Sequence, residues 1–256
     1  MLLAAAVVLA LVLRGTLRLR RRGAARHAGW DRVALAAAAV GIGVLATCSP
    51  LDAVADEYLL SAHMLQHVLI GDLVPALLLV ALRGPLLLFA VPRPLLRPLG
   101  ALGRIGPVPT LALWAAVIGV WHLPALYDYA LAHPLAHQLE HGLFLAVGLG
   151  VWSQLLRGPL RRPWGVLGYA LALFSLGMLL ANALVLAYRP LYPAYAAQDE
   201  RLLGLSPLGD QQAAALVMLA EQALTLGTLA LVLLRAHFRS LPRRPAAAVE
   251  RHPFAV

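Results

Sequence analysis

"HMLQHVLIGDLVPALLLVALRGPL", residues 63–86, opens with two histidines one helical turn apart, runs on through an almost unbroken apolar stretch and meets its first arginine at Arg83. About 20 such residues are enough to cross the hydrocarbon of a bilayer as a helix. The rest of the 256-residue chain has the same character, with 61% hydrophobic and only 13% charged residues and a mean hydropathy of +0.78. That composition excludes a soluble globular domain. In lipid every backbone N–H and C=O must be satisfied internally, so the expected fold is all-α and polytopic.

Apolar windows place seven spans, at 2–19, 33–49, 58–82, 107–123, 134–156, 164–188 and 211–235. In the first, Arg14, Arg18, Arg20, Arg21 and Arg22 follow the apolar core rather than precede it, the order of an uncleaved anchor and not of a signal peptide. The chain has no lysine, and 19 of its 21 arginines fall in alternate loops (14–32, 83–104, 157–162) and from 235 onward. The positive-inside rule therefore expects the N-terminus outside and the C-terminus in the cytoplasm. Asp52, Asp56, Glu57, Asp128, Asp199, Glu200 and Asp210 agree, all lying in the outer loops. The net charge of +9 then points to anionic lipid rather than nucleic acid as partner. Residues 1–240 read as one transmembrane domain, with 83–106 as a proline-broken interfacial loop and 241–256 as a disordered cytoplasmic tail. Cys48 is the only cysteine, which removes disulfides and paired-thiol chemistry.

Residues 48–86 are echoed by 122–160. "LRGPL" occurs at 82–86 and 156–160, the pairs His63/His67 and His137/His141 precede it at equal distance, and Pro50 and Pro124 precede the pairs. The offset is 74 residues throughout, without a gap. Two spans of one orientation thus look like copies of one unit, an arrangement that places polar sites between halves.

Nine histidines are present. His27, His237 and His252 lie among cytoplasmic arginines and read as solvated basic residues. The other six, His63, His67, His122, His133, His137 and His141, share the outer half of the membrane or its outer surface. Spacing of i, i+4 puts His63 with His67, and His137 with His141, on one helix face. His133, just ahead of Pro134 at the helix start, is closest to water. Ionisable groups inside a bilayer are costly and mark function, and converging neutral imidazoles are metal ligands. Metal binding is the favoured reading; a proton relay and haem ligation are the alternatives. Imidazole with thioether or thiol nearby suits copper, and Met64, Cys48 and Met218 are the soft candidates; imidazole with carboxylate would suit zinc or iron. Asp72 and Glu140 are candidates to orient imidazole N–H groups. "HQLEH" at 137–141 also fits an H-x-x-E-H zinc-hydrolase pattern with Glu140 as base, although the sister motif carries Gln66 at that place.

A resemblance adds to this reading. "SPLD" (49–52), "AHMLQHVLIGDLVPALLLVALRGP" (62–85), "WHLPALYDYAL" (121–131), "HPLAHQLEHGLF" (133–144), "LYPAYA" (191–196) and "DQQAAALVM" (210–218) together resemble the bacterial integral-membrane cytochrome c oxidase assembly factors called CtaG. The resemblance implies a seven-span protein of the bacterial inner membrane that handles copper on the extracytoplasmic side for a haem–copper oxidase, without catalysis of its own. Its implied partners are oxidase subunits and a soluble extracytoplasmic copper chaperone. The motif histidines in this sequence are His63, His67, His122, His137 and His141.

Overall fold

A computed structural model describes residues 2–102, 104–157, 160 and 163–240. The expected tail 241–256 and part of the second "LRGPL" (158 and 159) lie outside the described residues. Among those described, helices account for all the regular structure and no strand occurs. In chain order they are α1 (Leu2–Arg21), α2 (Trp30–Cys48), α3 (Pro50–Glu57), α4 (Leu60–Ala81), α5 (Pro85–Ala90), α6 (Arg93–Leu102), α7 (Pro107–Trp121), α8 (Pro124–Ala132), α9 (Pro134–Arg157), α10 (Pro163–Val185), α11 (Pro193–Ala196) and α12 (Pro207–Ser240).

Prolines set most of these starts. Pro50, Pro85, Pro107, Pro124, Pro134, Pro163, Pro193 and Pro207 each open a helix, where the missing N–H is no loss and the fixed φ already suits the helix. Among the described residues, six helices are long and apolar enough to cross a membrane, and α7 with α8 makes a seventh candidate, bent by 72° at His122–Leu123. The chain is a multi-pass membrane protein. Large apolar side chains such as Leu113, Val120, Leu171, Leu179, Leu216 and Leu224 face outward from these helices, as a lipid-facing surface requires. Two regions read as connections are helical: 49–57 contains α3, and the interfacial loop 83–106 contains α5 and α6. Gly84 joins α4 to α5 with φ +68°, a left-handed conformation that suits glycine because it has no Cβ.

Among the described residues the core forms several clusters, of which two are the largest. One cluster gathers Leu60, Met64, Tyr127, Ala181, Leu184, Tyr192, Tyr195 and Met218, and a second gathers Ala76, Val151, Trp152, Leu155, Tyr169, Leu173 and Leu226. Helix α4 runs centrally, packed against α2, α9 and α12. It is not a uniform α-helix. Residues Leu69–Leu73 form a π-turn, in which the Val74 N–H bonds the Leu69 carbonyl five residues back. Pro75 supplies the reason, since it has no N–H for the Gly71 carbonyl and its ring would collide with that carbonyl in a regular turn. The Gly71 carbonyl instead packs directly on Gly148 of α9, where even a single Cβ would overlap it. Helices α4 and α9 therefore cross at backbone contact distance.

The 74-residue offset also appears in the helix ends. Pro50 and Pro124 open the short helices α3 and α8, and Leu60 and Pro134 open the long helices α4 and α9. Each long helix presents its histidines in the first two turns, under the short helix that precedes it.

Candidate metal site

Four imidazoles meet where α4 and α9 begin. His63, His67, His137 and His141 each offer one ring nitrogen such that all four atoms lie within 4.8 Å of one another. The His63 and His67 ring centroids are 4.4 Å apart, those of His137 and His141 4.2 Å, and across the helices His63 to His137 is 5.1 Å and His67 to His141 5.3 Å. The group could hold a metal ion. His63, His67 and His141 are buried and His137 is partly exposed, so one side of the group faces the surface.

The hydrogen bonds fix how His63 is presented. The Tyr195 hydroxyl donates to the Ala55 carbonyl (2.6 Å) and lies 3.0 Å from His63 Nδ1. Its one proton is committed to the carbonyl, so its oxygen accepts from His63 Nδ1–H and leaves Nε2 as a bare lone pair aimed into the group. Burial, foremost, pushes the Tyr195 phenol well above its ordinary range, which keeps it a neutral hydrogen-bonding group. His63 Nε2 and His67 Nε2 face each other at 2.8 Å. His67 Nδ1, His137 Nε2 and His141 Nε2 are buried without a hydrogen-bond partner. Buried polar atoms are rarely left so, and three in one group are what a set of ligand nitrogens presents.

Two carboxylates flank the group. Asp56 of α3 lies at the partly exposed edge, 3.8 Å from His63 Nδ1 and 3.7 Å from His137 Nδ1. Burial raises its pKa to about 6, helped by the charges of Asp52 and Glu57; at neutral pH it is still mostly ionised. Glu140 of α9 lies on the inner side, 1% exposed, with Oε1 3.6 Å from His67 Nε2 and no hydrogen bond to that oxygen.

The remaining candidates fall elsewhere. His122 caps α7 beside the group, its ring 6.0 Å from that of His67 and stacked at 6.0 Å on Phe144, but its nitrogens are not among the four converging atoms. Met64 is fully buried beside it. His133 is exposed, stacked on Tyr129 and bonded to the Tyr129 carbonyl. Cys48 is exposed at the end of α2, next to Thr47. Asp72, read from the sequence as a partner for an imidazole, accepts instead from Trp152 Nε1 and from Thr225 Oγ1 (3.1 Å). Met218 packs in the first core cluster. Tyr195 and Asp56 have roles that sequence reasoning did not assign. Tyr195 stands in the quoted "LYPAYA", yet a tyrosine 132 residues away from His63 gives no spacing signal. Asp56 was visible only as one acid among several in the outer loops.

A family model described as cytochrome c oxidase caa3 assembly factor matches residues 10–240. The chain belongs to that family. The membership makes it an assembly factor associated with cytochrome c oxidase, and the match runs from the middle of α1 to the end of α12, including every residue of the histidine group. No curated protein and no solved structure matches the chain.

Proposed function

We propose that this protein binds copper at the four-histidine group as cargo and supports metallation of a haem–copper cytochrome c oxidase from the extracytoplasmic side. The observation that carries the proposal is the convergence of His63, His67, His137 and His141, with ring nitrogens left unpartnered in a buried setting. Neutral imidazoles without a carboxylate inside the group suit copper. His122 lines the inner edge and gates the site, while Asp56 marks the outer edge through which an ion is exchanged. The arginine distribution supports an outward-facing site, since the basic loops lie at the ends of the spans opposite to the histidines. Partners of matching chemistry are an oxidase subunit as acceptor and a soluble extracytoplasmic copper chaperone as donor, in a bacterial inner membrane. The role is non-catalytic, and Glu140 orients and balances charge rather than acting as a hydrolytic base.

The test compares copper bound to purified wild-type protein with that bound to the His63→Ala/His67→Ala variant, alongside oxidase activity in membranes carrying each. The variant is expected to lose the copper held at the four-histidine group and to leave the oxidase under-metallated. Equal copper in the two proteins would end the proposal.

A further inference from the structure

Inward of the four-histidine group lies a cavity of about 80 Å³, walled by Met64, His67, His122 and Phe144 at its outer end and by Met218 and Glu221 deeper in. His67 thus borders both the group and the cavity. At the cavity's outer end the contact between His122 and Met64 is chemically unusual. His122 Nδ1 lies 2.8 Å from the Ile118 carbonyl oxygen. A carbonyl only accepts, so this nitrogen carries the imidazole proton, and Nε2 is left with a lone pair and no hydrogen. That lone pair faces the Met64 sulfur at 3.3 Å. A thioether has no hydrogen to give either. Two electron-pair donors therefore point at each other in a buried setting, with Met64 fully inaccessible and His122 only 6% exposed.

What such a pair lacks is a Lewis acid. Thioether and imidazole together prefer a soft transition-metal ion. The surroundings narrow the charge. Phe144 stacks on the His122 ring, the hydrogen-bond partners of His122 are a carbonyl and a thioether rather than a carboxylate, and Asp72, in the wall of the same cavity, is engaged by Trp152 and Thr225. A doubly charged ion in such a place would bear a heavy desolvation cost with no anionic ligand to offset it, whereas a singly charged ion bears far less.

We infer that His122 Nε2 and Met64 Sδ form a second metal station, specific for a soft monovalent ion such as Cu(I), set one imidazole's width inward of the four-histidine group. This inference rests on the copper reading proposed above and deepens it, since it makes His67 the common wall between an outer all-nitrogen site and an inner nitrogen–sulfur site. Cargo held at two adjacent stations moves between them without returning to water.

The experiment uses the full chain in detergent, loaded anaerobically with Cu(I) in competition with a chelator, with copper per chain counted and X-ray absorption read at the copper edge. Wild type is expected to hold two ions with a copper–sulfur path. Met64→Leu, which keeps the side chain's volume, is expected to hold one ion with nitrogen scattering only. Zn(II) is expected to load one ion per chain. A selenomethionine-labelled wild type gives a second arm that needs no substitution, and a copper–selenium path is expected there. A wild type holding one copper with nitrogen neighbours alone overturns the inner station and leaves the four-histidine reading intact; a wild type holding none overturns both. Met64→Leu that keeps both ions and the sulfur path, or zinc that fills both places, also overturns the inference.

Discussion

Helices α4 and α9 carry the same pattern 74 residues apart, yet the structure uses the two differently. On α4, His63 is buried and held by Tyr195, and Gln66 turns away from the histidines to bond the Ala46 carbonyl (2.6 Å) and Asp52 (2.7 Å). On α9, the counterpart of His63 is His137, which is partly exposed and leaves Nε2 without a partner. The counterpart of Gln66 is Glu140, buried beside His67 with one oxygen free of hydrogen bonds. His63 is anchored, while His67, His137 and His141 each keep a ring nitrogen without a partner. Equal spacing brings the four rings together, and unequal neighbours decide which rings are fixed and which can adjust around an ion.

The hardest blow to this pairing is struck at the crossing itself. Gly148→Ala puts a Cβ onto the Gly71 backbone carbonyl and the Pro75 ring, neither of which can rotate away. A loss of about 3 kcal/mol or more is expected from overpacking at rigid backbone, read as a large fall in thermal midpoint in detergent. Gly142→Ala, on the same helix with open space around it, should instead stabilise by up to about 1 kcal/mol. Equal effects at the two glycines would contradict the close crossing.

A smaller effect separates the anchored histidine from the open ones. Tyr195→Phe removes the acceptor that holds His63 Nδ1–H and strips the Ala55 carbonyl of its donor. Metal affinity should fall about 10- to 100-fold, measured by chelator competition, while the fold survives. Unchanged affinity would mean that His63 needs no such support.

The two middle positions give the finest distinction. Gln66→Ala should cost about 1–3 kcal/mol of stability through the bonds it abandons, with metal content unaltered. Glu140→Gln should leave both stability and bound metal close to wild type, with affinity moved by a few-fold at most. A variant that kept its metal but lost all function in oxidase assembly would instead favour the hydrolase reading of "HQLEH".

Much of this was legible before any coordinates. Hydropathy alone placed the spans, because the bilayer imposes one length on every crossing, and i, i+4 spacing put each histidine pair on a face. What spacing could not supply was the third dimension. Asp72 lies only five residues beyond His67, but the π-turn at Leu69–Leu73 and its bond to Trp152 direct it away from the imidazoles. His122 read as a fifth member at the same depth, yet the bend after α7 sets its Nε2 against Met64. Tyr195 reaches the site from a loop whose sequence carries no periodicity. Short helices α3 and α8 also escaped notice, since eight or nine residues between spans give too little pattern to separate a helix from a loop.

The π-turn in α4 has one more result. It takes five residues where the matching stretch of α9 stays in a regular helix, and no residue has been inserted to fill the wider loop. Everything on the C-terminal side of it is therefore wound back relative to the sister segment, so histidine-bearing halves that match in rotation are joined to following halves that do not. The twin segments could not be exchanged for one another: a transplant of either into its sibling's place would bring its imidazoles correctly to the rim and point its lower half at the wrong neighbours.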